Sequence, residues 1–228
     1  MPPNLYQHRK SSAEFTAGIS STVIYDCFES VLKSHSITGT VLDWGAGKGL
    51  LTQRVLQLRL FKSVTAIDIQ SRPESLDPSV IWMQADLNEP VNIENETFDL
   101  ILSAEVIEHL ENPRALVREW LRLLKPGGLL IFSTPNNESW RSILALIFRG
   151  HFVSFGDSSY PAHITALVRK DISRILCEAG FIDTQLLFTN FGVIPKLPKY
   201  YWQDVPLTSF RGLRFSDNLL AVARKPKM

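Results

Sequence analysis

Three glycines spaced two apart, at 45, 47 and 49 in Thr-Val-Leu-Asp-Trp-Gly-Ala-Gly-Lys-Gly (40–49), restrict this chain more than any other feature. Val41 and Leu42 before them suit a buried strand, and Leu50, Leu51 and Val55 after them begin a helical period. A strand that turns on glycines into a helix presents backbone N–H groups to a ligand with no side chain in the way. Asp43, at the strand's end, sets a carboxylate beside that opening. The spacing is not the dinucleotide fingerprint G-x-G-x-x-G/A, because the third glycine follows the second by two and position 50 is leucine. A glycine turn also serves any loop that needs positive φ, so the rest of the chain has to decide.

With 228 residues the chain is long enough for one α/β domain with a full core and short for two. Apolar positions from Ser11 to about His35 recur every three or four residues, which predicts one amphipathic helix or two broken near Gly18. This helix lies either on the sheet edge or over the glycine opening as a lid, and residues 1–10 read as a flexible arm. A helix over about 50–59 follows the turn, and then a strand, Val64–Gln70, carries Asp68. Ser79–Gln84 reads as a third strand leading into Ala85-Asp86-Leu87, and Phe98–Ser103 as a fourth leading into Ala104-Glu-Val-Ile-Glu-His-Leu110. Arg114–Leu124 is a periodic helix stopped by Lys125-Pro-Gly-Gly128, a C-cap and tight turn into a fifth strand, Leu129–Thr134. Residues 136–168 form an apolar insertion, Arg169–Ala179 a helix, and Phe181–Thr189 with Phe215–Arg224 a closing strand pair around an irregular aromatic segment. The expectation is a doubly wound, mainly parallel seven-stranded α/β sheet (Rossmann-like) with one antiparallel strand.

A net charge of +1 gives no global attraction to nucleic acid or an acidic membrane. Cys27 and Cys177 have no C-x-x-C spacing and fit a reducing compartment. The first ten residues lack the apolar core of a signal peptide, and no run reaches the roughly 18 apolar residues of a membrane span. These features lead us to expect a cytoplasmic protein; nothing in them specifies its oligomeric state.

In this order, the glycine turn, Asp68, Asp86, the E-x-x-E-H continuation of strand four and the L-K-P-G-G-x-L entry to strand five resemble class I S-adenosylmethionine (SAM) methyltransferases. The resemblance covers most of residues 40–190. It implies SAM as cofactor, with Asp43, Gly45, Ala46 and Gly47 around its amino acid end. Asp68 would accept from both ribose hydroxyls, Asp86 from the adenine amine, and Ile69 and Leu87 would sandwich the ring, with Ser103 also on the cofactor. Trp44 and Lys48 depart from the smaller residues usual at their positions, Trp44 narrowing the pocket floor and Lys48 setting a cation near a sulfonium.

Methyl transfer from a sulfonium requires alignment above all, and catalytic groups matter when a hydroxyl must lose its proton. On a helix beginning near 104, Glu105, Glu108 and His109 would share one face at the carboxyl end of strand four. Two carboxylates and an imidazole suit a hard cation such as Mg²⁺ or Mn²⁺. The motif resembles that of ubiquinone-pathway O-methyltransferases, and of small-RNA 3′-terminal 2′-O-methyltransferases, whose metal set includes a later histidine; His163 stands where that fourth ligand would. Without metal, His109 and Glu105 are the catalytic candidates, His109 as general base. Residues 136–168 and the aromatic segment at 191–210 would roof a pocket for a small-molecule hydroxyl, including an apolar or membrane-borne acceptor. The alternatives are a metal-dependent methyltransferase of RNA 3′ ends, which the balanced charge disfavours, and a SAM-binding protein without turnover; DNA is not expected as a partner. A nicotinamide reductase stands further off because of the glycine spacing.

Overall fold

The computed structural model describes residues 4–16, 18–206 and 209–227. Seven strands form one sheet: β1 (Gly39–Trp44), β2 (Phe61–Asp68), β3 (Ile81–Gln84), β4 (Phe98–Ala104), β5 (Leu124–Pro135), β6 (Ile182–Phe188) and β9 (Asn218–Arg224), in the order β3-β2-β1-β4-β5-β9-β6. All neighbouring pairs are parallel except those of β9, which runs antiparallel to both β5 and β6. The strand order reverses between β1 and β4, which opens a crevice at their carboxyl ends where ligands bind in such sheets.

Both faces of the sheet are covered, which explains its nearly continuous apolar strands. Leu42, Ile67, Ile101, Leu130 and Phe132 face α4 (Pro113–Leu123) and α6 (Arg169–Ala179). Val41, Val64, Leu100, Leu102 and Ile131 face α2 (Thr22–His35) and α3 (Leu50–Gln57). The side-chain alternation of a strand produces both sets from single runs. α2 buries Ile24, Tyr25, Phe28, Val31 and Leu32, so it belongs to the core. α4 is capped by Asn112, whose Oδ1 accepts from the Ala115 N–H, and by Pro113 in its first turn.

Three segments differ from the sequence expectation. The arm expected over residues 1–10 is helical from Leu5 onward, part of α1 (Leu5–Phe15), none of whose residues is buried, while residues 1–3 lie outside the described residues. The insertion contains α5 (Trp140–Arg149), started by the Ser139 hydroxyl and ended by Gly150 in a left-handed conformation. The aromatic segment contains a small hairpin, β7 (Val193–Ile194) with β8 (Leu197–Tyr201), whose Pro195 and Pro198 mask the strand pattern.

Candidate active site

The glycine turn is built by β2. The Gly45 and Ala46 N–H groups donate to the Ile67 carbonyl at 2.8 and 3.1 Å, and the Gly47 N–H donates to Asp68 Oδ2 at 2.8 Å. Gly47 has φ +52°, and a Cβ on it would fall 2.4 Å from the Gly18 carbonyl oxygen. The Lys48 N–H donates to that same carbonyl, so the α1–α2 link crosses directly over the turn.

Around this turn opens a cavity of about 550 Å³, a volume typical of a small-molecule or cofactor site. Asp43, Gly45, Ala46, Gly47, Asp68, Ile69, Asp86 and Leu87 all line it. The three acids therefore stand at successive strand ends around a common hollow. Asp43 is buried and accepts from the Thr52 hydroxyl at 2.5 Å; burial, with Asp68 nearby, pushes its carboxyl up to about 7. Asp68 accepts one backbone N–H on each oxygen, from Gly47 and from Gln70, which leaves further lone pairs for a ligand's hydroxyls; burial raises its carboxyl as well. Asp86 holds the Asn88 N–H on Oδ1 and the Arg9 guanidinium on Oδ2 at 2.8 Å.

Three expected contacts take other places. Ser103 does not reach the cavity: its hydroxyl is buried and donates to the Trp44 carbonyl, tying β4 to β1. Trp44 does not form the pocket floor, because its ring lies in the core on the α4 face. Lys48 is exposed and absent from the cavity wall.

The E-x-x-E-H stretch is not a continuous helix. Glu105 has φ +56°, a left-handed backbone, and only Ile107–His109 form a 3₁₀ turn. Glu105 stays near Glu108, whose charge adds to burial in raising the Glu105 carboxyl, but it is held by partners of its own. Its carboxylate accepts from the Ser133 hydroxyl and the Asn218 amide, both at 2.7 Å, which fixes it on the cavity wall beside β5 and β9. Glu108, His109 and His163 do converge, each offering one ligand atom within 4.8 Å of the others. Glu108 is fully buried; Oε2 accepts from Thr134, while Oε1 has no partner and lies 3.9 Å from His109 Nε2. His109 Nδ1 is 2.9 Å from the Ala162 carbonyl, so it carries the proton and leaves Nε2 as an acceptor. The His163 ring packs edge-on to His109 with centroids 4.6 Å apart, and its buried Nδ1 is also unpartnered. Burial lowers both imidazoles, His163 to about 4, so both are neutral at physiological pH. Of the four residues expected to converge, three do, and Glu105 is not among them.

Four contributors escaped the sequence reading. Ser133 and Asn218 hold Glu105, and Thr134 holds Glu108, across 28, 113 and 26 positions of chain. Arg9, on α1, meets Asp86, Glu89 and Glu111, and α1 covers the cavity with His8, Arg9, Ser12, Ala13, Phe15 and Thr16 along its wall.

Comparison with known proteins gives this site its setting. Residues 23–186 match the family model described as a methyltransferase domain. The ubiquinone biosynthesis O-methyltransferase of Schizosaccharomyces pombe is 29% identical over 199 residues, covering 82% of this chain and 69% of that protein. The mitochondrial ubiquinone biosynthesis O-methyltransferase of Rattus norvegicus is 33% identical over 119 residues, 47% of this chain and only 34% of its own length. Among solved structures, a SAM-dependent methyltransferase from Archaeoglobus fulgidus superposes with a TM-score of 0.62 at 16% identity, over 88% of this chain and 94% of that one. Fold, glycine turn and family match agree: the chain belongs to the methyltransferase-domain family of class I SAM-dependent enzymes.

Proposed function

We propose that this protein transfers a methyl group from SAM to a hydroxyl of a small, apolar acceptor, with a divalent cation held by Glu108, His109 and His163. The carrying observation is the pair of buried, unpartnered atoms, Glu108 Oε1 and His163 Nδ1, in the wall of the cavity that also holds the acids of the cofactor site. Burial pushes the Glu108 carboxyl up to about 8, so the ligand-free group holds a proton at neutral pH, and a cation brought to Oε1 would displace it and give that oxygen its partner. The relatives named above act in O-methylation, and Phe15, Ile19 and Pro161 give the cavity an apolar side for such an acceptor.

The residues present fit the cofactor. Asp43 would meet the ammonium of its amino acid end, Asp68 the ribose hydroxyls and Asp86 the adenine amine, with Ile69 and Leu87 on the ring. SAM supplies an electrophilic methyl group on a sulfonium. What the protein adds is alignment and exclusion of water. The Asp68–Gly47 bond fixes the turn, and α1 closes over it.

A divalent cation, when bound, acidifies a hydroxyl resting on it. Two imidazoles and one carboxylate favour Mn²⁺ or Zn²⁺ over Mg²⁺, which prefers an all-oxygen shell. The Ala162 carbonyl orients His109, Thr134 orients Glu108, and Glu105, pinned by Ser133 and Asn218, shapes the wall beside them.

The test is transfer of labelled methyl from SAM to alkyl-substituted phenols and catechols and, separately, to total RNA, with added Mn²⁺ or Zn²⁺ and with chelator. Labelled phenol ethers formed only with metal are the expected result. Label in RNA alone would overturn the acceptor class. Full activity in excess chelator would remove the metal and leave His109 Nε2 as the base.

A further inference from the structure

We infer that Thr52 is a positioning residue of the cofactor site: its hydroxyl holds Asp43 so that the cofactor's ammonium meets one free oxygen and drives a proton out. The inference rests on the cofactor placement proposed above. It adds a partner behind Asp43 and a proton exchanged on binding.

Asp43 stands at the carboxyl end of β1, and Thr52 lies in the first turn of α3, nine positions on. Both residues are buried, 2% and 0% exposed, and the Thr52 hydroxyl donates to Asp43 Oδ2 at 2.5 Å. A threonine hydroxyl within a helix commonly returns to the carbonyl four residues back. Here it turns to the strand instead, and α3 does not need it for attachment, since Leu51 and Val55 already anchor the helix in the core. With Oδ2 taken, Oδ1 is the oxygen that Asp43 has left for the cavity it lines.

No cation balances this carboxylate among the described residues. Arg9 is the one lysine or arginine on the cavity wall, and it is bound to Asp86, Glu89 and Glu111. Arg54, on α3, is paired with Asp26 and Glu29, while Lys48 is exposed and acts on Asp68. Asp68 acts on Asp43 from β2 with a like charge. The rest of the wall carries Glu105, Glu108 and the two neutral imidazoles, with His8 from α1 and Tyr25 from α2. A buried carboxylate set between a like charge and neutral donors favours its protonated form. Burial raises the Asp43 carboxyl, the Thr52 hydroxyl pulls it back, Asp68 raises it again, and it settles at about 7.

Because Thr52 donates to Oδ2, the proton sits on Oδ1, where the ammonium arrives. The ammonium keeps its three hydrogens and takes Oδ1 as acceptor. The carboxyl O–H bond breaks, its electron pair stays on Oδ1, and the proton leaves to solvent. The result is a buried ion pair in which the Thr52 hydrogen bond, now to a charged group, is stronger than before.

Calorimetry of S-adenosylhomocysteine binding, repeated in buffers of different ionisation enthalpy, counts the proton. The protein is expected to release close to one proton at pH 6, about half at pH 7 and little at pH 8. 5′-Methylthioadenosine, which lacks the amino acid end, is expected to bind without this release. Thr52→Val at pH 7 should lose roughly tenfold in affinity for S-adenosylhomocysteine while its affinity for methylthioadenosine stays within about twofold. Its proton release should rise toward one, and Thr52→Ser should restore the wild-type values. If Thr52→Val does not fold, Thr52→Ala carries the same comparison, and the proton count needs no variant. A loss equal for both ligands would make Thr52 a merely structural residue and overturn the proposal. So would absence of proton release, or equal release with both ligands, since Asp43 would then hold no proton for the ammonium to displace. Proton release as expected without methyl transfer to any phenol would instead strike the acceptor reading and leave Thr52 and Asp43 in these roles.

Discussion

The Arg9 guanidinium lies 2.8 Å from the Asp86 carboxylate, and with its other contacts to Glu89 and Glu111 it is the main fastening of α1 over the cavity. α1 buries none of its own residues; beyond Arg9 it is held by the Gln70 amide donating to the Ala13 carbonyl. A helix held by charge rather than by apolar packing detaches at low cost. Because Asp86 is also the residue proposed to meet the adenine amine, the fastening and the cofactor share one carboxylate.

Replacing Arg9 with Ala is expected to loosen the cover without unfolding the domain. A partly buried, three-carboxylate arrangement is stronger than an isolated surface pair, so amide exchange over residues 5–15 should rise roughly tenfold. The SAM off-rate in stopped-flow should rise with it, and the thermal midpoint should move little. Unchanged exchange over α1 would show that Arg9 does not hold it.

How legible these features were depends on the range of the interaction that makes them. The glycine turn, Asp68 and the β-branched runs were readable because each is specified within a few residues of itself, and periodicity exposes both faces of the sheet at once. The order of α1 was not readable: a polar segment beginning Leu5-Tyr-Gln-His-Arg-Lys gains its structure from Asp86, Glu89 and Glu111, some 77 to 102 positions away. Glu105 misled for a related reason. Its i, i+3 spacing to Glu108 suggested one helical face, but Ser133 and Asn218 reward a left-handed backbone that breaks the helix before it starts. Ser103 sits at a strand end like the acids do, yet its partner is the carbonyl of the neighbouring strand.

Asp43 gives the ligand-free protein a pH dependence of defined sign. Its carboxyl titrates near 7 when folded, against 3.8 for the free side chain. Between these values the folded state keeps a proton that the unfolded chain has released, so the contribution is complete below pH 4 and lost as pH rises through 7. Other carboxylates, such as Asp99 beside Lys125, are lowered and act in the opposite direction, so the total curve does not isolate Asp43. The difference between wild type and Asp43→Asn does. Denaturant midpoints should show wild type losing, relative to the variant, on the order of a few kcal/mol between about pH 5 and pH 8. A pH-independent difference would mean that Asp43 stays charged in the fold.

His163 and Glu105 separate the proposed cation site from its surroundings. His163→Ala removes one of the three proposed ligands and should weaken Mn²⁺ or Zn²⁺ binding, read by calorimetry, about 100-fold or more. Glu105→Gln keeps one acceptor oxygen for Ser133 or Asn218 and supplies no ligand to the trio, so metal affinity should change by less than about tenfold. Equal losses in the two variants would restore Glu105 to the ligand set.

Gly47 carries the most exacting backbone requirement of the site. Its φ of +52° alone makes a side chain costly, and the added Cβ would fall 2.4 Å from the Gly18 carbonyl oxygen, which is backbone and cannot rotate aside. Gly150, with φ +81° and ψ +6°, is left-handed too but has nothing within 4 Å of an added Cβ, so Gly150→Ala isolates conformational strain. That strain should cost about 1 kcal/mol. Gly47→Ala should cost about 1–3 kcal/mol more, because the α1–α2 link must lift and lose its bond from the Lys48 N–H. Raised amide exchange at residues 18–21 and weakened SAM binding should accompany the lower thermal midpoint in Gly47→Ala and be absent in Gly150→Ala. If the two substitutions cost the same, the link does not press on the turn, and the cover over the cofactor site is held by Arg9 and Gln70 alone.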